Sequence, residues 1–185
     1  KNYNGKYNGV MTLRQALEQS TNTIAVKLAK ELGPETVIHY AKKMGITSLV
    51  ERGAKNDKGL ALALGGLTQG ITPIEMAQAY SVLANGGVKV TPYLVTEVRD
   101  ANGVVLESHG PNREIVLDER TAYIMADMMK GVITSPNGTG KRADIGRPAA
   151  GKTGTADSNT DAWFVGFTPD LAAAVWIGED TLREM

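Results

Sequence analysis

Apolar positions recur at helical spacing in the first 45 residues, with one interruption. Thr12 and Gln15 have the spacing of a capping box, in which each side chain binds a backbone N–H group at the start of a helix. The polar residues 18–22 then break the apolar stripe, which resumes and ends at Gly33. The pattern predicts two helices that are joined at, or bent around, residues 20–22.

Three further helices have clear start signals. Pro34 stands at a first helical position, and Gly45 ends the stripe that follows it. Residues 72–75 combine an N-cap, a proline and a glutamate, and Gly86 with Gly87 closes that helix. A helix is also predicted over residues 118–133. The predicted inward-facing residues of the three helices are Val37, Ile38, Ala41, Met44, Met76, Ala77, Tyr80, Leu83, Ala122, Met125, Met129 and Val132.

Strand-like patterning is concentrated in the second half of the chain. A small hairpin is predicted from residues 93–99 and 104–107, around an Asp-Ala-Asn-Gly turn. After a loop over 135–148, three antiparallel strands are predicted, with Trp163 and Trp176 in the core on a sheet face. Their predicted ranges are 149–156, 162–168 and 171–177. The fold class is therefore α+β (mixed α/β), with a helical subdomain beside an antiparallel sheet.

Composition excludes several classes of function. Lys and Arg total 20, as do Asp and Glu, so the net charge is zero and duplex nucleic acid is not an expected partner. The chain has no Cys and only two histidines, His39 and His109, for which the sequence suggests no partner. No metal site or organic cofactor is expected. The longest apolar run, residues 171–177, is far shorter than the ~20 residues of a membrane span.

Two unrelated motifs overlap at Lys152. Residues 146–153 satisfy the P-loop form G-x-x-x-x-G-K-[ST], which would make the chain a nucleotide-binding ATPase. A P-loop needs a buried strand before it and a helix after it. Residues 140–145 do not have the pattern of a buried strand, and residues 154–159 are a poor helix sequence. The P-loop is therefore the less favoured alternative.

The second motif is Lys152-Thr153-Gly154, extended by Thr155. Ser20-Thr21-Asn22 provides a Ser-x-Asn at the predicted helix junction, and the two triplets occur together in serine acyltransferases that react with penicillin. Ser20 can relay a proton, and Asn22 can hold a lysine or a carbonyl without adding charge. From the residues alone, an ordinary role for Ser20 and Asn22 as helix caps remains open.

Longer stretches carry a more specific resemblance. The chain resembles the transpeptidase domain of class A penicillin-binding proteins from end to end. The matching stretches are NY at 2–3, GKY at 5–7, Gly9, TLRQAL at 12–17, STN at 20–22, LALGG at 62–66, GITPIEMA at 70–77, ANGG at 84–87, GTG at 138–140, AGKTGT at 150–155 and DAWFVGFTP at 161–169.

The resemblance implies an activity. A serine attacks the penultimate D-Ala carbonyl of a peptidoglycan stem peptide, terminal D-Ala leaves, and an amine of a neighbouring stem takes the acyl group. β-Lactam antibiotics acylate the same serine. The implied partners are the stem peptide, β-lactams and the upstream part of the same domain. The implied location is the extracytoplasmic face of the bacterial cell membrane.

The resemblance also implies roles for six residues. Ser20, Asn22, Lys152 and Thr155 are the catalytic candidates, and Thr153, Gly154 and Thr155 are the substrate-binding candidates. Lys152 would face the substrate carboxylate, Gly154 would let substrate backbone approach, and the Thr155 N–H would serve an oxyanion hole. On a regular strand, Lys152 and Thr155 point to opposite faces, so one of them must reach around the strand.

The family's nucleophile is missing from the chain. The family places it in a Ser-x-x-Lys motif, and none of the six serines has lysine three positions later. We therefore expect residues 1–185 to be the C-terminal part of one transpeptidase domain, and the isolated chain to be inert. The fold would be an incomplete penicillin-binding transpeptidase / β-lactamase-like fold, with the later strands of the antiparallel sheet in this chain and the earlier strands upstream. A β-lactamase and a non-catalytic penicillin-recognising sensor on the same fold remain as alternatives.

Overall fold

Helices dominate the first half of the chain and strands the second. The structure, a computed structural model, describes residues 2, 5–156, 159–179, 181 and 183. Tyr3, Asp157 and Ser158, which belong to stretches discussed above, lie outside the described residues. The elements are α1 (Leu13–Glu18), α2 (Asn22–Leu32), α3 (Pro34–Lys43), α4 (Pro73–Ala84), β1 (Val88–Val90), β2 (Glu97–Arg99), β3 (Val105–Ser108), β4 (Arg113–Ile115), α5 (Glu119–Thr134), β5 (Ala150–Thr155), β6 (Asp161–Phe167) and β7 (Ala172–Gly178), with short 3-10 helices at Leu60–Leu64 and Lys141–Ala143.

The predicted helix starts are confirmed by their capping bonds. At α1, the Thr12 hydroxyl accepts a hydrogen bond from the Gln15 N–H, and the Gln15 side chain accepts one from the Thr12 N–H. Thr72 and Glu75 form the same reciprocal pair at α4. The Asp118 carboxylate accepts hydrogen bonds from two N–H groups in the first turn of α5. Each cap satisfies backbone donors that the helix itself leaves unpaired.

The buried face of α4 differs from the prediction. Leu83 is buried as expected, but the other fully buried apolar residues of the helix are Ala79 and Val82, which the sequence pattern did not single out. The helix contacts β1, β6, β7 and α5, so it is enclosed on more than one side. A single apolar stripe is a poor guide to a helix with several packing partners.

Strands β5, β6 and β7 form one antiparallel sheet in that order, as predicted, with β5 at one edge. Ala150 and Phe167, which are register partners, pack into a core with Leu83, Ala122 and Met129. The sheet therefore lies against α4 and α5. This packing fixes the position of β5, the strand that carries Lys152.

The prediction for Trp176 was wrong. Trp163 is half-buried, but Trp176 is 36% exposed, because its strand β7 is the other edge of the described sheet. The indole N–H of Trp176 donates a 2.8 Å hydrogen bond to the Asp161 carboxylate. Asp161 therefore ties the start of β6 to β7.

Residues 88–115 form an irregular two-stranded arm. The predicted hairpin is present as β2 paired with β3, although its first strand begins only at Glu97. The arm is extended by β1 paired with β4, a pairing that was not predicted from the sequence. His109 lies at the end of this hairpin and has a partner after all, since its Nε2 is 2.8 Å from a carboxylate oxygen of Glu107. Among the described residues, no helix has the length and apolar character required to cross a bilayer.

Candidate active site

Ser20 lies in a helix-terminating turn with a strained backbone. Its N–H donates to the Leu17 carbonyl at 3.2 Å, and the Thr21 N–H donates to the Ala16 carbonyl at 2.8 Å. These two bonds form a Schellman motif at the end of α1, and the residue at the position of Ser20 in this motif is usually glycine. Ser20 has φ of 52°, in the left-handed region that disfavours a side chain. The turn aims its hydroxyl at the sheet.

Lys152, on β5, contacts the Ser20 hydroxyl from the sheet. Its Nζ donates a 2.7 Å hydrogen bond to Ser20 Oγ and a 2.9 Å bond to the carbonyl of Thr153. Ala150 and Lys152 share the face of β5 that packs toward the helices. The tip of Lys152 then bends to the Thr153 carbonyl, so this side chain reaches around the strand. Residues separated by 132 positions in sequence therefore share one site.

Burial changes the acidity of Lys152. Transfer of the ammonium out of water lowers the pKa of Lys152 to about 8. Within the part of the chain that the structure describes, Lys152 forms no ion pair with a carboxylate. With no such charge to hold the proton, the lysine can exchange it near neutral pH.

Among the described residues, no strand pairs with the edge of β5 that faces away from β6. The Ala156 N–H donates to the Asp161 carbonyl, so even-numbered residues of β5 bond to β6. The N–H groups of Thr153 and Thr155 therefore point to the free edge. Gly154 faces the neighbouring strand closely, since a Cβ built there would lie 3.2 Å from Trp163 Cβ. Packing within the sheet is thus a second reason for glycine at this position.

Thr153 and Lys152 point in different directions. The Thr153 hydroxyl lies 2.7 Å from the Thr139 hydroxyl, in a groove of about 550 Å³ that residues 138–143, Thr153 and Phe164 line. No role for Thr139 was predicted from the sequence. The only signal for it was the Gly-Thr-Gly stretch at 138–140, which the resemblance includes.

Asn22 is the first residue of α2 and lies half-buried two positions after Ser20. Its amide forms no hydrogen bond with any residue that the structure describes. The alternative that Ser20 and Asn22 cap α2 is wrong, because the N-cap is Thr21 and the Ser20 hydroxyl binds Lys152 instead. Thr21 itself makes no side-chain capping bond.

The P-loop alternative is also wrong. Lys152 lies inside β5, where it is the register partner of Val165. A P-loop lysine instead stands at the start of a helix, behind a loop that wraps phosphate with N–H groups. The described residues also hold no group of three or more His, Asp and Glu side chains arranged to bind a metal ion.

Comparisons with known proteins identify the family. A family model described as the penicillin binding protein transpeptidase domain matches residues 1–184. Penicillin-binding protein 1A of Aquifex aeolicus is 40% identical over 186 residues, which are 100% of this chain and 24% of that relative. The chain therefore spans about a quarter of the length of this relative.

Solved structures agree with this assignment and with the α+β fold. The PonA1 protein from Mycobacterium tuberculosis in complex with penicillin V matches with a TM-score of 0.86 at 31% identity, over 100% of this chain and 52% of that one. Penicillin-binding protein 1A from Haemophilus influenzae matches with a TM-score of 0.84 at 25% identity, over 98% and 32%. The chain belongs to the penicillin-binding protein transpeptidase domain family.

Proposed function

We propose that this chain supplies one side of the active site of a peptidoglycan D,D-transpeptidase, an acyltransferase that cross-links stem peptides ending in D-Ala-D-Ala. β-Lactam antibiotics would acylate the same site. Residues 1–185 form the C-terminal part of one transpeptidase domain in this proposal. The parent protein acts at the extracytoplasmic face of the bacterial cell membrane.

The observation that carries the proposal is the 2.7 Å hydrogen bond from Lys152 Nζ to Ser20 Oγ. It joins the Ser-x-Asn and Lys-Thr-Gly motifs beside a free strand edge. A motif pair that meets by chance would not place an ammonium and a hydroxyl in direct contact. The strained backbone of Ser20 supports the same conclusion, because such strain concentrates at functional sites.

Ser20 and Lys152 form a proton relay in this proposal. When the amide bond of the substrate breaks, the leaving nitrogen needs a proton. Ser20 gives its hydroxyl proton to that nitrogen and takes one from the Lys152 ammonium. Because the pKa of Lys152 is about 8, loss of this proton is less costly than for an exposed lysine. The amine that attacks the acyl-enzyme later returns a proton through the same pair.

The free edge of β5 binds the substrate. An extended peptide can align along this edge by backbone hydrogen bonds. The Thr155 N–H stabilises the oxyanion, and the hydroxyls of Thr153 and Thr155 receive the terminal carboxylate with Lys152. Gly154 leaves space for the peptide backbone, and the Asn22 amide, which has donors and an acceptor to offer, holds the substrate carbonyl.

The nucleophile belongs to a Ser-x-x-Lys segment outside residues 1–185. A fluorescent penicillin tests this arrangement. The isolated chain should remain unlabelled, whereas the protein in which it is joined to the Ser-x-x-Lys segment should be labelled covalently. The joined protein should also release D-Ala from a donor peptide ending in D-Ala-D-Ala.

Each alternative has its own outcome in this experiment. Labelling of the isolated chain would contradict the external nucleophile. Rapid turnover of a chromogenic cephalosporin by the joined protein would indicate a β-lactamase. A joined protein that binds penicillin but releases no D-Ala would indicate a sensor.

A further inference from the structure

The Gly138-Thr139-Gly140 segment closes the C-terminal end of α5. The Gly140 N–H donates a 2.9 Å hydrogen bond to the Val132 carbonyl, and the Gly138 N–H donates one of 2.9 Å to the Ser135 carbonyl. A Cβ at Gly138 would overlap the Val132 carbonyl oxygen. Both glycines are buried, whereas Thr139 between them is exposed. Packing accounts for the glycines but not for the threonine.

Thr139 bonds to the end of α1, just before the Ser-x-Asn motif, and to the Lys-Thr-Gly motif. Its N–H donates a 3.2 Å hydrogen bond to the carbonyl of Glu18, two residues before Ser20. Its hydroxyl lies 2.7 Å from the hydroxyl of Thr153, which follows Lys152. The residue therefore links the turn that holds Ser20 to the strand that holds Lys152.

When a carboxylate is bound, the number of available protons fixes which of the two threonine hydroxyls donates to the other. A threonine hydroxyl has one proton and two lone pairs, and a carboxylate only accepts. If Thr153 gives its proton to the carboxylate, it has none left for Thr139. Thr139 must then donate to Thr153. A hydroxyl that accepts one hydrogen bond also donates a stronger one.

We propose that Thr139 is a positioning residue for recognition of the ligand carboxylate, acting by donating its hydroxyl proton to Thr153. This inference rests on the function proposed above, in which Thr153 receives that carboxylate. The groove that Thr139 and Thr153 share also has Lys141 and Arg142 in its wall, so the local charge favours an anion.

The test compares two ligands that differ only in the carboxylate, benzylpenicillin and its methyl ester. The joined protein with the Ser-x-x-Lys segment is used, and the second-order rate constant of acylation is measured. Thr139→Val should lower the rate with benzylpenicillin about 3- to 10-fold, the worth of one ordinary hydrogen bond. The rate with the methyl ester should change less than twofold, and Thr139→Ser, which keeps the hydroxyl, should retain the wild-type ratio.

Thr134→Val is the matched control, because Thr134 is an exposed threonine whose hydroxyl donates to the Lys130 carbonyl within α5 and to no other described residue. It should leave both rates unchanged. Equal losses with the two ligands in Thr139→Val would show a purely structural role and overturn the inference. Thr139→Ala provides a second hydroxyl-free variant if the valine impairs folding. A wild-type protein that is not acylated would contradict the proposed function instead.

Discussion

Two polar clusters in this molecule resemble each other in composition but differ in the hydrogen bonding of their ionisable side chain and in backbone conformation. The Glu75 cluster consists of Thr47, Ser48, Thr72 and Glu75, and the Lys152 cluster consists of Ser20, Lys152 and Thr153. Each places one ionisable side chain among hydroxyl and backbone groups. The two clusters show how a structural polar site differs from the proposed catalytic site.

The Glu75 carboxylate is saturated with donors. It accepts hydrogen bonds from the N–H and hydroxyl of Thr47, from the Ser48 N–H, and from the N–H and hydroxyl of Thr72, at 2.8–3.1 Å. Burial raises the pKa of Glu75, but these bonds outweigh it and bring the pKa down to about 2. The charge is fixed and cannot exchange its proton near neutral pH.

Lys152 is in the opposite situation. It has two acceptors for its three protons in the described residues, and burial alone moves its pKa toward neutrality. Its partner Ser20 is held in a left-handed conformation, whereas Thr72 caps a helix with relaxed extended dihedrals. Complete hydrogen bonding is therefore what we expect of a stabilising cluster, and incomplete hydrogen bonding with backbone strain is what we expect of the proposed catalytic one.

The largest expected effect separates activity from stability at Lys152. Lys152→Met keeps the aliphatic stem and removes the ammonium. The acylation rate with benzylpenicillin should fall about 100-fold or more, because a proton donor and a cation are both lost. The free energy of unfolding at pH 7 should not decrease, since the buried ammonium costs free energy. Stopped-flow acylation and denaturant unfolding of the joined protein measure the two effects.

The pH dependence sharpens this prediction. The pKa of Lys152 is about 8 in the folded protein, so the ammonium is present below that pH and is lost above it. The wild-type acylation rate should therefore fall as the pH rises through about 8, and the residual rate of Lys152→Met should lack this decline. A decline that persists in the variant would assign it to another group.

Most helices and the main sheet followed from the sequence because their signals are local. The capping boxes at Thr12 and Thr72 and the proline at residue 34 act within four residues of themselves. The pairing of β1 with β4 could not be predicted, because each strand has three residues and the two are brought together only by the arm between them. The exposure of Trp176 depends on which elements lie beside β7, and the alternation of side chains along the strand does not encode this.

For the candidate site too, the sequence predicted some features and not others. The motifs that contain Ser20 and Lys152 were identified from residue types, but their contact and the pKa of Lys152 depend on burial across 132 positions. The sequence does not decide whether Ser20 caps a helix or relays a proton, since a serine hydroxyl suits both roles. Thr139 was missed because an exposed threonine in a loop has no distinctive local pattern.

A smaller effect is expected at the Glu75 cluster. Glu75→Gln should lower the free energy of unfolding at pH 7 by about 3 kcal/mol, because several donors lose a charged acceptor. The stabilisation that the carboxylate contributes is present above the ordinary glutamate pKa of about 4.3 and is lost as the pH falls toward 2. The free energies of unfolding of the variant and the wild type should therefore differ less at pH 3. Denaturant unfolding at both pH values measures this, and the acylation rate per folded molecule should stay within twofold.

Glu35→Gln, at an exposed glutamate in the first turn of α3, is the control and should change stability by less than about 0.5 kcal/mol. A large loss of activity with intact stability would remove the distinction between the two clusters.

The smallest effect tests the strain at Ser20. Ser20→Gly and Ser20→Ala both remove the hydroxyl that binds Lys152, so both should lose acylation to the same extent. They differ only in a Cβ atom at a residue with φ of 52°. In an ordinary helical position alanine is the more stabilising of the two by about 0.5–1 kcal/mol. Here the order should reverse, with Ser20→Gly more stable by about 1 kcal/mol, because the Schellman turn favours a residue without a side chain. Thermal or denaturant unfolding of the two variants gives the difference directly. If Ser20→Ala were equal or superior in stability, the backbone at residue 20 would store no strain, and the comparison of the two clusters would rest on hydrogen bonding and burial alone.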